Sequence, residues 1–159
     1  NTPTAGLFFY APCYIKFLPN LQYYCNQNLS FKKDSRYVTG PVSYPIGMLD
    51  DIEVHFLHYV DENEATENGN RRVKRINYSN LFYIFTDRDQ CTYKELSEFD
   101  SFDSQAKLCF SSKNYPELKS LIFIKEDEGE ECVGDLHSSR LYRNYVDIIK
   151  WLNSPRKKG

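Results

Sequence analysis

Apolar positions along the chain change period several times, from two to three or four and back, which predicts short strands alternating with short helices. Ala5 to Tyr10 is an apolar-aromatic run that reads as a strand. Pro12 suits the first turn of a helix, and Ile15, Leu18, Leu21, Tyr24 and Cys25 then recur at helical spacing as far as the Asn-rich stretch Asn26 to Asn28. Pro19 falls inside this segment, so the helix kinks or divides there. Ser30 to Gly40 is polar and supplies at most an edge strand. Gly40-Pro41 and Tyr44-Pro45 predict an extended approach, because the residue before proline is pushed out of the α region; Gly47 then permits a turn. From Asp51 to Tyr59 the pattern alternates. Ile52, Val54 and Phe56 take one face and Asp51, Glu53 and His55 the other, the pattern of a strand bordering a cleft. His58 falls on the apolar parity and reads as a core or strand-end histidine.

Asp61 or Asn63 caps a helix that leads into Arg71, Arg72, Lys74 and Arg75. Leu81 to Phe85 is continuously apolar, which predicts a central strand covered on both faces. It runs into Asp87-Arg88-Asp89. Thr92 with Glu95 three residues on is a capping box for a helix that buries Leu96 and Phe99 and ends near Phe102. Lys107 to Phe110 and Leu121 to Ile124 are two further strands, followed by the solvent-facing acidic loop Glu126 to Glu131. Tyr145, Ile148, Ile149 and Leu152 form the stripe of a last helix, with Trp151 near its end and Pro155 stopping it. The expected fold is α/β: a three-layer single domain over residues 1–159, with a mixed central sheet and helices on both faces. The opening NTPTAGLFFY reads as the middle of a fold, so a short N-terminal segment of the full domain is expected to be missing.

Composition sharpens this picture in three places. Aromatic residues reach 16%, with 13 Tyr and 11 Phe against one Trp and one Met, so the core is built from rings whose hydroxyls need partners. A net charge of -2 provides no global field for nucleic acid or an anionic membrane, and no apolar run approaches the roughly 20 residues of a membrane span. The five cysteines (Cys13, Cys25, Cys91, Cys109, Cys132) are widely spaced without a C-x-x-C, which fits reduced thiols in a cytoplasmic protein. There is no G-x-S-x-G, no phosphate-binding G-x-x-x-x-G-K-[ST] and no H-E-x-x-H. The seven glycines never fall in a G-x-G, which argues against a dinucleotide-binding domain. Nothing in the pattern sets an oligomeric state.

Three groups of residues offer chemistry. Asp87 and Asp89 stand at a strand end, where two carboxylates can share a divalent cation, Mn2+ or Mg2+, that neutralises a diphosphate; the competing reading is an Asx turn. Arg71, Arg72 and Arg75 would lie on one helix face and could hold phosphates; the competing reading is a solvated basic face balancing Asp61, Glu62, Glu64 and Glu67. Asp50, Asp51, Glu53 and His55 could supply a general acid and base, given a neighbouring strand to complete the site.

Five segments carry a resemblance: Asn1 to Thr4 (NTPT), Tyr44 to Gly47 (YPIG), Asp51 to Tyr59 (DIEVHFLHY), Arg72 to Asn77 (RVKRIN) and Asn80 to Asp89 (NLFYIFTDRD). In order and spacing they resemble an uncharacterised bacterial family, a domain of unknown function often labelled an exopolysaccharide-biosynthesis protein. Many members of that family are expected to carry a Trp a few residues before the basic segment; Asn68 to Asn70 has none here. The resemblance implies an α/β protein of a polysaccharide locus acting on a sugar or nucleotide-sugar, and it carries over no catalytic residue. The leading expectation is a glycosyltransferase-like sugar-transfer enzyme, with the arginines on phosphates, Asp87 and Asp89 on the cation, and His55 or Glu53 as base. The alternative is a non-catalytic accessory module that binds saccharide or a protein. A hydrolase or acyltransferase using Cys or His is the third.

Overall fold

A computed structural model describes residues 6–104 and 106–154, so Asn1 to Ala5, Gln105 and Pro155 to Gly159 lie outside the described residues. The chain is α/β, as expected, and holds both antiparallel and parallel strand pairings, each in its own three-stranded sheet. Two compact units, residues 1–81 and 82–159, carry one sheet each.

In the first unit, α1 (Ala11–Phe17) has Pro12 in its first turn and ends at Leu18. Pro19 supplies no N–H to continue it, and a separate helix α2 (Leu21–Cys25) follows. Three strands, β1 (Ser30–Lys32), β2 (Ile46–Leu49) and β3 (Ile52–His55), pair antiparallel in the order β1-β2-β3. Asp50, at φ 54°, makes the tight β2–β3 connection, a left-handed conformation that Asp tolerates better than most residues. On its other side β3 pairs with Phe8, each residue of the Phe8–His55 pair donating its N–H to the other's carbonyl at 2.8 Å. The expected first strand is thus reduced to one bridge, and Ala5 lies outside the described residues.

All four residues of β3 are buried. Val54 packs with Phe56, Tyr59 and Ala65, supported by Leu7, Phe9, Leu29, Phe31 and Leu49. The polar face, Glu53 and His55, is equally covered, at 0% exposure each. That corrects the expectation of a strand lining an open cleft. Helix α3 (Glu62–Val73) is capped by Asp61, which accepts from the Glu64 N–H at 2.8 Å, and Ala65 docks it on the core.

In the second unit, β4 (Tyr83–Thr86), β5 (Lys107–Ser111) and β6 (Leu121–Phe123) pair parallel in the order β4-β5-β6. The middle strand is therefore β5; the apolar run of β4 was expected to be central, yet Ile84 is 36% exposed. Helix α4 (Tyr93–Ser101) connects β4 to β5 and carries the expected capping box. Its Leu96 and Phe99 are buried, with Phe99 5.2 Å from the Phe85 ring. The opposite face is closed by Phe110, Ile124 and Val133 with Leu108, Ile122, Leu141 and Ile148. Two short helices, α5 (Leu136–Ser139) and α6 (Ile148–Leu152), belong to this covering segment. The last helix is shorter than the apolar stripe predicts: Asp147 caps it at Ile148, and Ile149 is 75% exposed. Among the described residues no helix is long and apolar enough to cross a membrane.

Gly47 sits in β2 opposite Val54, with no room for a side chain. A Cβ there would come within 2.7 Å of both Leu29 Cδ1 and the Phe56 ring. Gly47→Ala should therefore destabilise the protein by about 1–3 kcal/mol through overpacking, read as a lower urea midpoint. An unchanged midpoint would show that Leu29 and Phe56 repack at no cost.

Candidate functional site

The densest polar arrangement of the first unit is built on the Glu53 carboxylate. Oε1 accepts from the Arg36 backbone N–H and from Arg36 Nε, both at 2.9 Å, and from Lys32 Nζ. Oε2 accepts from Ser35 Oγ at 2.8 Å and lies 3.2 Å from His55 Nε2. Burial alone would raise this carboxyl, but the donors from Lys32, Ser35 and Arg36 outweigh it and hold Glu53 at about 2. Its charge is thus neutralised locally, with Lys32 reaching toward solvent from the end of β1 and Arg36 from the segment that follows it.

His55 is enclosed by the rings of Phe8, Tyr10 and Tyr44, with centroids at 5.9, 5.2 and 5.7 Å. Burial lowers its basicity more than Glu53 raises it, so the imidazole is neutral. An ionised Glu53 only accepts, which places the ring proton on Nε2 and leaves Nδ1 to accept from Tyr44 Oη at 3.3 Å. Cys13 closes the network: its Sγ accepts from the Glu53 N–H at 3.3 Å and lies 3.2 Å from Tyr37 Oη. Asp51 stands apart from Glu53 and His55. In the β2–β3 turn it pairs with Lys16 and accepts from Tyr24 Oη at 2.9 Å, and the Lys16 contact in particular lowers its carboxyl.

The three arginines do not form one cluster. Helix α3 stops at Val73, so Arg75 lies past its end in a turn, donating its N–H to the Arg72 carbonyl at 2.9 Å. Arg71 bonds to Asn68. Arg72 alone lines a hollow, shared with Phe9, Phe17, Leu29, Val54 and Phe56. Its Nη1 is buried and, among the described residues, has no hydrogen-bond partner. Such an orphaned donor costs about 1–3 kcal/mol.

In the second unit, the Asp87 carboxylate is fully engaged. One oxygen accepts from Ser111 Oγ (3.0 Å), the Ser112 N–H (2.8 Å) and Ser112 Oγ (3.0 Å), and the other from the Val133 N–H (2.8 Å). It fastens the end of β4 to the end of β5 and to the segment at Val133. These bonds commit Asp87 to the fold, and among the described residues no group of three or more His, Cys, Asp or Glu side chains gathers to hold a metal ion. Asp89 and Gln90 are both left-handed, at φ 59° and 64°. Burial raises the Asp89 carboxyl against the pull of Arg88, and it pushes the neighbouring Cys91 thiol up to about 12. At the same strand-to-helix junction the Tyr93 ring, 46% exposed, meets Tyr115 edge-on at 5.1 Å and donates to Glu117 at 3.1 Å.

Pattern reading missed Lys32, Ser35, Arg36 and Tyr44 as partners of the Glu53–His55 pair, and Tyr93 with Tyr115. Each contact spans from 11 to 22 residues of chain, and no local period announces it.

The family model for the domain of unknown function DUF1919 matches residues 1–153, and the chain belongs to that family. It is also 35% identical over 158 residues to a Haemophilus influenzae protein described only as uncharacterised, covering 96% of this chain and 74% of the relative.

Because Glu53 is held below its ordinary value of 4.5, it stabilises the fold fully above that pH, and the contribution fades as pH falls toward about 2. Glu53→Gln should remove about 2 kcal/mol or more at pH 7. This is less than the 3–5 of a fully buried pair, because Lys32 and Arg36 can turn to water. Denaturation from pH 7 to 2.5 should show the wild-type and variant curves converging on the acid side. Parallel curves over that range would remove the ion network as a source of stability.

Proposed function

We propose that this DUF1919 protein binds a saccharide in cell-surface polysaccharide assembly, at the carboxyl ends of β4 and β5. The observation that carries the reading is the exposed Tyr93 ring, braced by Tyr115, at the junction that also presents Asp89 and Gln90. A ring face offers apolar contact to the C–H face of a sugar while carboxylate and amide groups take up its hydroxyls. Ligands of parallel α/β sheets gather beyond strand carboxyl ends, and consecutive left-handed non-glycine residues are conformations that persist where surrounding structure holds them for a purpose. The polysaccharide context is supported by the likeness of NTPT, YPIG, DIEVHFLHY and NLFYIFTDRD to sequences labelled exopolysaccharide-biosynthesis proteins.

A sugar-transfer reaction at this junction is the second reading, favoured by the raised Asp89 carboxyl, which suits a proton acceptor from a sugar hydroxyl. In that reading Asp89 carries the proton chemistry. The pair Glu53 and His55, enclosed at 0% exposure, serves the architecture of the first unit.

Titration calorimetry of the protein against hexoses, N-acetylhexosamines, uronic acids and nucleotide-sugars should find one saccharide class that binds, with Tyr93→Ala weakening it at least tenfold. At 100 times the dissociation constant that sugar should add about 2.7 kcal/mol to stability. Asp89→Asn should keep the binding and, if transfer occurs, abolish turnover. A folded protein that binds none of the panel, or a Tyr93→Ala variant that binds equally well, would remove the proposal.

A further inference from the structure

We propose that the hollow between the β2–β3 sheet and helix α3 in the first unit is a second ligand site, taking an oxyanion carried on a short apolar chain. Three observations converge on it. The lining is mostly apolar, from Phe9, Phe17, Leu29, Val54 and Phe56, and encloses a cavity of about 70 Å³. One water needs roughly 10–15 Å³ by such a measure, so the space holds a chain of about five heavy atoms. An apolar space of this kind does not hold water well, and it favours a hydrocarbon.

The second observation is the cation at this hollow. Arg72 lines it, and the buried Arg72 Nη1 lacks a hydrogen-bond partner among the described residues. Buried polar groups in folded proteins are almost always satisfied, so an orphaned guanidinium N–H beside an apolar hollow calls for an acceptor from a ligand. A guanidinium presents its donors as a planar fork that matches a carboxylate or a phosphate.

Thirdly, a second donor lies close to the guanidinium, beside Gly6, the neighbour of the lining residue Leu7. A side-chain carbon at Gly6 would lie 3.6 Å from both Arg72 Nη2 and Tyr59 Oη, so guanidinium and hydroxyl meet above this glycine. Gly6, at φ +76°, takes a backbone conformation in which any other residue would be strained, and it carries no side chain at that spot. An oxyanion there meets two kinds of donor while its chain enters the space beside Phe9 and Val54. Carboxylate and phosphate share this chemistry, and the probes below separate them.

The experiment uses the full chain with hexanoate, hexyl phosphate, hexanol and inorganic phosphate, followed by calorimetry and by amide chemical shifts. One of the two chain-bearing anions should bind saturably, moving resonances of Leu7, Leu29, Val54 and Arg72, and hexanol should bind at least tenfold more weakly. Arg72→Gln should weaken the anion at least tenfold. Val73→Phe, which enlarges a lining side chain on α3 and keeps Arg72 in the chain, should do the same with an unchanged circular dichroism spectrum. Hexanol binding as well as hexanoate, inorganic phosphate binding as well as hexyl phosphate, or no saturable binding of any probe to the folded protein would each overturn the site. Tyr93→Ala should leave hexanoate binding intact, so this site and the saccharide site stand or fall separately.

Discussion

The first unit depends on one ionised carboxylate with no access to water. Glu53 sits in β3, all of whose residues are buried, and moving its charge into that position is tolerable only because Lys32, Ser35 and Arg36 deliver donors to both oxygens. This requirement organises much else. The segment between β1 and β2 must fold back so that the Arg36 N–H reaches Oε1, and the same arginine then holds the Asp51 carbonyl at 2.8 Å. Tyr37, carried along, stacks on Tyr10 at 4.6 Å, and Tyr10 in turn closes over His55. A long polar connection with little regular structure is thereby tied to the core.

The second unit repeats the device with different donors. Asp87 ends β4 and accepts four hydrogen bonds from β5 and the segment at Val133. A parallel sheet needs its strand ends joined by something other than short hairpins, and here a carboxylate does it. Glu53 and Asp87 thus each tie distant segments of their own unit together. What is left uncommitted is a different set: Asp89, raised by burial, and the exposed Tyr93 ring in the second unit, and in the first the buried Arg72 Nη1, without a hydrogen-bond partner among the described residues.

Arg72 and Glu53 make an instructive pair. Both belong to the first unit and both bring charge into a largely apolar setting, but one is saturated and the other carries an orphaned donor. Saturation marks a group whose work is done within the chain. An orphan among otherwise satisfied groups marks one whose partner comes from elsewhere.

Local rules of the chain determined the elements: the proline that divides α1 from α2, the capping boxes and Asx caps of α3 and α4, the alternation of Ile52 to Phe56, and the α/β class. These features rest on contacts three or four residues apart or on side-chain parity, which periodicity reports directly. The alternation also identified Glu53 and His55 as sharing a face, though not that the face is closed, because closure comes from Lys32, Ser35, Arg36 and Tyr10, all distant in sequence. Likewise Asp87-x-Asp89 reads the same whether its oxygens face a cation or the hydroxyls of Ser111 and Ser112. Only the tertiary structure brings the Ser111 and Ser112 hydroxyls to 3.0 Å from one Asp87 oxygen, because those donors lie more than twenty residues away along the chain.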